Sequence, residues 1–165
     1  MGKIRYGIIV LLAVCYFLPK PDCLFYPEWP GHLIHHFFHA NVFHYAVNAL
    51  AVWSVFDPRT RPEKWLLPAA YVIASVSYCF AIMPTIGFSN ILFAVAGMRT
   101  PSFKSAWWKS RNAIVFLSMM FIMFFLPMFS AITHLVSFAI GVGVSACVRL
   151  VRSLDYDTRR AKGGR

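Results

Sequence analysis

Long apolar segments alternate along this chain with short, basic connections. A helix that crosses a bilayer needs about 20 mostly apolar residues, and the sequence offers six candidate spans. The fourth candidate holds only about 10 residues, half of that length, so we expect it to begin inside the membrane and not at its surface. The pattern predicts an all-α polytopic membrane protein. The six predicted spans are Ile4–Leu18, Leu33–Phe56, Trp65–Met83, Ser89–Met98, Ala113–Leu126 and Ser130–Leu150.

The composition excludes two classes of soluble protein. Of 165 residues, 59% are hydrophobic and 13% are charged, whereas soluble domains have about 45–50% and about 25%. The basic residues are spread between apolar segments and form no single patch, which excludes a nucleic-acid-binding module as well as a soluble enzyme. The length suits one domain. We predict a membrane domain over 1–151 and a flexible, basic cytoplasmic tail over 152–165 that faces lipid headgroups.

The positions of the basic residues predict an orientation. With six spans, fifteen of the sixteen Lys and Arg residues fall on one side of the membrane, and Lys20 alone falls on the other. Basic connections stay in the cytoplasm, so both termini are predicted to be cytoplasmic. We expect an integral protein of a bacterial-type plasma (inner) membrane. The sequence does not predict its oligomeric state.

The acidic residues exclude several membrane enzymes and transporters. All six lie in predicted connections or in the tail. A membrane aspartyl protease needs two carboxylates within the bilayer, and most proton transporters relay protons through such groups. The sequence also lacks the HExxH motif of zinc proteases. The six acids are Asp22, Glu28, Asp57, Glu63, Asp155 and Asp157.

The histidines and cysteines raise two further possibilities, a metal site and a disulfide. The segment from His32 to His36 matches the HxxHH box of membrane di-iron enzymes, but those sites need about eight histidines and this chain has six. We therefore predict no metal and no cofactor. Cys23 and Cys79 both fall near the outer face, where either a disulfide or two unpaired thiols would be compatible with the sequence; we favour unpaired thiols.

Three polar groups interrupt the apolar spans. His39, His44 and Asn48 belong to the second span, Gly87–Asn90 opens the fourth, and His134 lies near the start of the sixth. Polar groups within lipid are costly and point to function. Because these three spans all enter from the outer face, the groups are expected at one depth. A serine nucleophile needs a base and oxyanion donors, and all three could converge here.

In order and residue type, these groups resemble the motifs of the rhomboid family of intramembrane serine proteases. The family carries HxxxxHxxxN in its second span, GxSG at the head of a short fourth span, and HxxGxxxG in the sixth. The corresponding segments here are His39–Asn48, Gly87–Asn90 and His134–Gly141. The resemblance implies a six-transmembrane-helix bundle whose short fourth helix starts inside the membrane. It also implies a serine endopeptidase of the lipid bilayer that cleaves transmembrane segments of proteins and binds no nucleic acid.

The same resemblance implies a role for each residue. Ser89 would be the nucleophile and His134 its general base, in a dyad without an acid. The oxyanion hole would comprise His44, Asn48 and the backbone N–H of Ser89. The residues expected to support this site are His39, Gly87, Asn90, Phe93, Ser137 and Gly141.

Three supporting positions depart from the family pattern. Phe93 stands where the family usually has a tyrosine against the catalytic imidazole. Asn90 and Ser137 each replace a glycine, and we predict that their side chains lie close together and hydrogen-bond to each other. If the departures prevent catalysis, the chain would instead be a rhomboid-like pseudoprotease that binds transmembrane helices. A small transporter or a metal enzyme is the third hypothesis, which the acidic residues disfavour.

Overall fold

The computed structural model describes residues 2–20, 33–56, 64–81, 86–100 and 131–163, together with residues 114, 118 and 121. Within these ranges the chain is helical, which confirms the predicted all-α class. Short 3-10 helices cover His35–Phe37 and Tyr78–Phe80. Each of the five continuous described ranges contains one α-helix, and these are α1 (Gly2–Phe17), α2 (Val42–Val55), α3 (Leu66–Ser77), α4 (Ser89–Arg99) and α5 (Ala131–Gly163).

The prediction of a six-span rhomboid-like bundle is wrong. Among the described residues only α5 is long and apolar enough to cross a membrane. The other helices have 16, 14, 12 and 11 residues, or about 16–24 Å at 1.5 Å per residue, against a hydrocarbon core of about 30 Å. The predicted fifth span, Ala113–Leu126, lies outside the described residues except for the helical positions 114, 118 and 121.

The second predicted span shows why the count failed. Leu33–Phe56 is not one helix, because the chain is extended at Phe38 and α2 begins only after Asn41. The Asn41 side chain accepts a hydrogen bond from the backbone N–H of His44 at 2.9 Å and so caps α2. Lys20, after α1, donates to the carbonyl of Ala40 at 3.0 Å. The segment that we predicted to be one span therefore contains a turn between two helices.

Residues 152–163 of the predicted tail are helical. α5 continues through them without a break as a helix of 33 residues. The sequence between Gly143 and Gly163 contains no glycine or proline, and both of those residues disfavour a helix interior. Arg159 pairs with Asp155 at 3.0 Å, four residues apart, an arrangement that adds modest helix stability.

α4 lies at the centre of the fold. Every residue from Ser89 to Met98 is buried, and α4 packs most extensively on α5, with further contacts to α2 and α3. The backbones of α4 and α5 come very close: a Cβ at Gly97 would collide with the carbonyl of Phe138, and one at Gly141 would lie 2.5 Å from the carbonyl oxygen of Ala94. Small residues allow this approach between helices in lipid.

Basic residues collect at one end of the helices, away from the predicted site. The guanidinium of Arg5 lies 3.6 Å from the ring centroid of Trp53, and Arg99 donates to the carbonyl of Val55 at 2.6 Å. These contacts join the start of α1 to the ends of α2 and α4. Ser89 and His134 begin α4 and α5 at the opposite end.

Candidate active site

Ser89 and His134 meet where α4 and α5 begin. Ser89 is the first residue of α4, and His134 lies in the first turn of α5. Ser89 Oγ and His134 Nε2 are 2.7 Å apart, and both residues are about 95% buried, at 5% and 4% exposure. When the ring proton is on Nδ1, Nε2 accepts the serine O–H. This is the geometry required of a nucleophile and its general base.

The ring of Phe93 holds the imidazole of His134. Their ring centroids are 4.6 Å apart with the planes inclined by 44°. Phe93 is one turn after Ser89 on α4, so one helix presents both the hydroxyl and the supporting ring. Asp155 and Asp157 are the only carboxylate residues in the described part of the chain, and both lie on the exposed end of α5. The contact with Phe93 therefore helps to fix the orientation of the imidazole.

His44 and Asn48 lie one turn apart on the same face of α2. His44 is 7% exposed and Asn48 is 1% exposed. Nδ2 of Asn48 donates one hydrogen to the carbonyl of His44 at 2.9 Å, and its second N–H hydrogen is available to another acceptor. His39 packs edge-on against His44, with ring centroids 5.1 Å apart. The packing of His39 thus helps to fix the orientation of His44.

Gly87 lies against His44 and Asn48 of α2 and comes two residues before Ser89. It has φ of +121°, and a Cβ built there would lie 2.6 Å from the imidazole of His44 and 3.5 Å from Nδ2 of Asn48. The N–H of Gly87 donates to the carbonyl of His35 at 2.9 Å. Only glycine combines this backbone conformation with so little space. The turn brings both side chains of α2 against the segment that leads into Ser89.

The start of α4 adds backbone donors. The first N–H groups of a helix have no partner within it, and they carry the positive end of the helix dipole. Ser89 is at this position because α4 begins directly after the Gly87 turn, with the N–H of Leu92 bonded to the carbonyl of Phe88 at 3.2 Å. An anion that forms next to Ser89 Oγ would meet these groups.

Asn90 and Ser137 are both buried, at 2% and 0% exposure. Asn90 is one turn before Ala94 on α4, and Ser137 is one turn before Gly141 on α5. Because Ala94 and Gly141 contact each other, Asn90 and Ser137 lie at a similar height along the two helices. However, no described residue supplies a hydrogen-bond partner to Asn90 Oδ1 or to Ser137 Oγ. The predicted bond between them is therefore absent. The closest backbone contacts lie further along the helices, at Gly97 and Gly141.

Sequence reasoning missed two residues behind the site. The carbonyl of His35 anchors Gly87, and a backbone acceptor leaves no signal in a sequence. His36 is fully buried, and its Nε2 lies 3.2 Å from Oγ of Ser75 on α3. The rings of His35 and His36 stack with centroids 3.7 Å apart. Within the ranges that the structure covers, no three His, Cys, Asp or Glu residues are placed to hold a metal.

Part of the predicted chemistry falls on residues that are not described. His32 and Cys23 are among them, so neither the complete HxxHH box nor a Cys23–Cys79 pair has a structural description. Cys79 itself is exposed.

Neither family models nor curated proteins match this sequence. The resemblance to rhomboids therefore rests on the three motifs.

If Asn48 has the oxyanion role that the resemblance implies, we expect Asn48→Ala to lower the rate of cleavage by about 10²–10³-fold, as loss of one oxyanion donor does in serine proteases. The backbone of α2 should be unaffected, because Asn48 Nδ2 bonds only to a carbonyl of its own helix. Ser54→Ala is the matched control: its Oγ donates to Leu50 O at 3.0 Å on the same helix, outside the site. Equal activity of the two variants would contradict a role for Asn48.

We expect Ser137→Ala to raise stability by about 1 kcal/mol, because a buried hydroxyl without a partner costs about 1–3 kcal/mol. Combined with Asn90→Ala, its effect should add within about 0.5 kcal/mol, as it does for residues that share no bond. Unfolding of the four members of this cycle in detergent tests both points. A destabilised Ser137→Ala variant, or strong coupling, would mean that the two side chains interact, for example through a shared water.

Proposed function

We propose that this protein is an intramembrane serine endopeptidase, similar to rhomboids, that cleaves transmembrane segments through a Ser89–His134 dyad. One observation carries the proposal: the 2.7 Å contact between Ser89 Oγ and His134 Nε2 in a buried site. The two residues are 45 positions apart in the chain and on different helices.

The reaction follows from the arrangement of the groups. As Ser89 Oγ attacks the scissile carbonyl carbon, its proton passes to His134 Nε2. The resulting oxyanion accepts hydrogen bonds from the N–H of Ser89, from His44 and from the second N–H hydrogen of Asn48. His134 then protonates the leaving amine, which departs and leaves an acyl ester on Ser89. A water molecule, deprotonated by His134, hydrolyses the ester and restores the serine.

The surface of the fold supports a membrane-embedded substrate. Large apolar side chains are exposed on several helices, among them Val10 on α1, Phe43 on α2 and Val72 on α3. Such side chains suit contact with lipid tails, and a transmembrane substrate would reach the dyad from the same medium. Within the described residues, α5 is long enough to cross the bilayer, which supports an integral membrane protein.

We further propose that the basic end of the helices is cytoplasmic and that the Ser89 end faces outward, in a bacterial-type plasma membrane. Arg5, Arg99 and Arg149 lie at or near the basic end, as the positive-inside rule requires. In a background with serine at positions 15, 23, 79 and 147, a cysteine at exposed Leu18 should react with an impermeant maleimide in intact cells, whereas one at Tyr156 should react only after permeabilisation. The reverse result would invert the orientation.

The direct test of the activity is reaction of the purified, detergent-solubilised protein with a fluorophosphonate probe. Mass spectrometry should locate the probe on Ser89, and the protein in liposomes should cleave single-pass membrane proteins within their apolar segments. The alternative, a pseudoprotease that binds transmembrane helices, is favoured by Asn90 and Ser137, which occupy glycine positions of the family. Binding of such segments without labelling of Ser89 would establish that alternative.

A further inference from the structure

Lys20 is a basic residue near the Ser89 end of the helices, away from the basic end. The positive-inside rule accounts for basic residues at the opposite end and not for this one. Lys20 comes three residues after the end of α1 and is only partly exposed. Its Nζ donates a hydrogen bond to the carbonyl oxygen of Ala40 at 3.0 Å. This bond joins the end of α1 to the turn that precedes α2.

The turn from Phe38 to Asn41 is tied to α1 by this bond. Within the part of the chain that the structure describes, the other hydrogen bonds of the turn stay between positions 35 and 45. They include the bond from the N–H of Phe38 to the carbonyl of His35 at 3.4 Å. Local bonds of this kind set the shape of the turn, whereas the bond from Lys20 sets its position relative to α1.

Ala40 in turn decides the tautomer of His44. The backbone N–H of Ala40 donates to Nδ1 of His44 at 3.4 Å. In a neutral imidazole one nitrogen accepts and the other carries the hydrogen, and the bond made by one nitrogen decides which. Because Nδ1 accepts, the hydrogen is on Nε2. That nitrogen faces the segment before Ser89, since a Cβ built at Gly87 would lie 2.6 Å from it.

We infer that Lys20 is a positioning residue of the oxyanion hole. By holding Ala40, it keeps a backbone N–H on Nδ1 of His44, so that the imidazole presents an Nε2–H donor to the oxyanion. The other tautomer would present a lone pair at this point and would repel the negative charge. The inference rests on the proposed function, because it uses the oxyanion role of His44.

Lys20 acts through the position of Ala40 and not by polarising the donor. The carbonyl that Lys20 contacts belongs to the peptide group between Ala40 and Asn41, whereas the N–H that bonds to His44 belongs to the preceding peptide group. The Cα of Ala40 separates the two groups. The bond to Nδ1 is longer than most N–H hydrogen bonds, so a small displacement of Ala40 would break it.

The kinetics of fluorophosphonate labelling test this role in the purified full chain. The probe places a negatively charged oxygen beside Ser89 as it reacts, so its rate reports on the oxyanion hole. Lys20→Met should lower the rate at saturating probe by about ten-fold, a part of the about 10²–10³-fold that one oxyanion donor contributes. The half-saturating probe concentration should not change, because the lost interaction is made only in the transition state. Lys20→Arg keeps a charged donor and should restore most of the rate. Equal rates for Lys20→Met and the unmodified protein would overturn the inference.

Lys64→Met is the matched control, because it removes the same charge at another place. Lys64 is exposed and precedes α3 by two residues. This variant should label as fast as the unmodified protein, and thermal melting checks that both methionine variants fold. A loss of rate as large as that of Lys20→Met would overturn the inference, because the effect would then be one of net charge.

Nitrogen-15 NMR of the histidine rings tests the tautomer and does not depend on activity. At about pH 8, where free histidine is neutral, His44 should carry hydrogen on Nε2 and none on Nδ1. The signals that disappear in His44→Gln identify this ring. Lys20→Met should give a mixture of both tautomers, and Lys20→Arg should give one.

The spectra decide the inference separately from the protease activity. Hydrogen on Nδ1 of His44 in the unmodified protein would overturn the inference, even if Lys20→Met fails to fold. A single, unchanged tautomer in folded Lys20→Met would overturn it as well. Absence of labelling at Ser89 in the unmodified protein would instead refute the proposed function, and the spectra would still report whether Lys20 fixes the tautomer of His44.

Discussion

We expect Ser89→Ala to abolish fluorophosphonate labelling and to lower cleavage by a factor on the order of 10⁴ or more, the usual cost of removing the nucleophile of a serine protease. The reason is that Ser89 Oγ, which is bonded to His134 Nε2, supplies the attacking oxygen of the proposed reaction. The fold should persist, since the change removes one oxygen and one buried hydrogen bond, at a cost of about 1–3 kcal/mol. Helical circular dichroism and thermal melting check this.

A matched serine makes the result specific. Ser77 is also fully buried, and its Oγ donates to the carbonyl of Ile73 at 2.7 Å within α3. Ser77→Ala should therefore keep full labelling and cleavage. His134→Ala should be as inactive as Ser89→Ala, and the double variant should be no worse, because the two residues act as one unit. Cleavage by Ser89→Ala at the normal rate would refute the assignment of the nucleophile.

The second large effect is expected at the contact of α4 with α5. Gly141→Ala places a Cβ 2.5 Å from Ala94 O and 3.1 Å from Met98 N. Both atoms belong to the backbone of α4, which cannot rotate away as a side chain can. Therefore α5 must move away from α4. Overpacking of this kind costs about 1–3 kcal/mol and occasionally more. Because His134 is two turns earlier on α5, the shift should also separate Nε2 from Ser89 Oγ, and a displacement of 1 Å can cost about 10²-fold in rate.

Gly143 is the control for that experiment. It lies on the same helix two residues later, and a Cβ there would meet nothing within 4 Å. Gly143→Ala should therefore stabilise α5 by roughly 0.5–1 kcal/mol, the difference in helix propensity, with activity unchanged. Melting temperature and probe labelling of both variants provide the comparison. If the two alanine variants behave alike, the close approach of α4 and α5 does not position the dyad.

Local chemistry made parts of the fold predictable. The predicted Ser89–Met98 span matches α4 within one residue, and Ile4–Leu18 matches α1 within two. In both cases an apolar run ends at a residue that disfavours helix continuation or at a change of polarity. The count of spans was not predictable in this way, because hydropathy treats an apolar turn such as Phe38–Ala40 and an apolar helix alike.

Candidate site residues were identifiable for a different reason. Serine, histidine and asparagine are expensive within apolar segments, so their presence alone indicates that something compensates the cost. That reasoning selected Ser89 and His134, which the fold does bring together. It also led to the prediction of a bond between Asn90 and Ser137, which is absent. A preference for a partner can be inferred from residue type, but a distance of a few ångströms between two helices cannot.

The sequence by itself determined the helical class and the start of α4, because these depend on residue type and near neighbours. Only the tertiary structure decided that Gly87 abuts His44, that the carbonyl of His35 holds the turn before Ser89, and that α5 extends to Gly163. The first two depend on contacts between residues that are 43 and 52 positions apart in the chain. The third depends on whether a charged, exposed segment stays helical. For such a segment the free energies that favour and oppose the helix are small and nearly cancel.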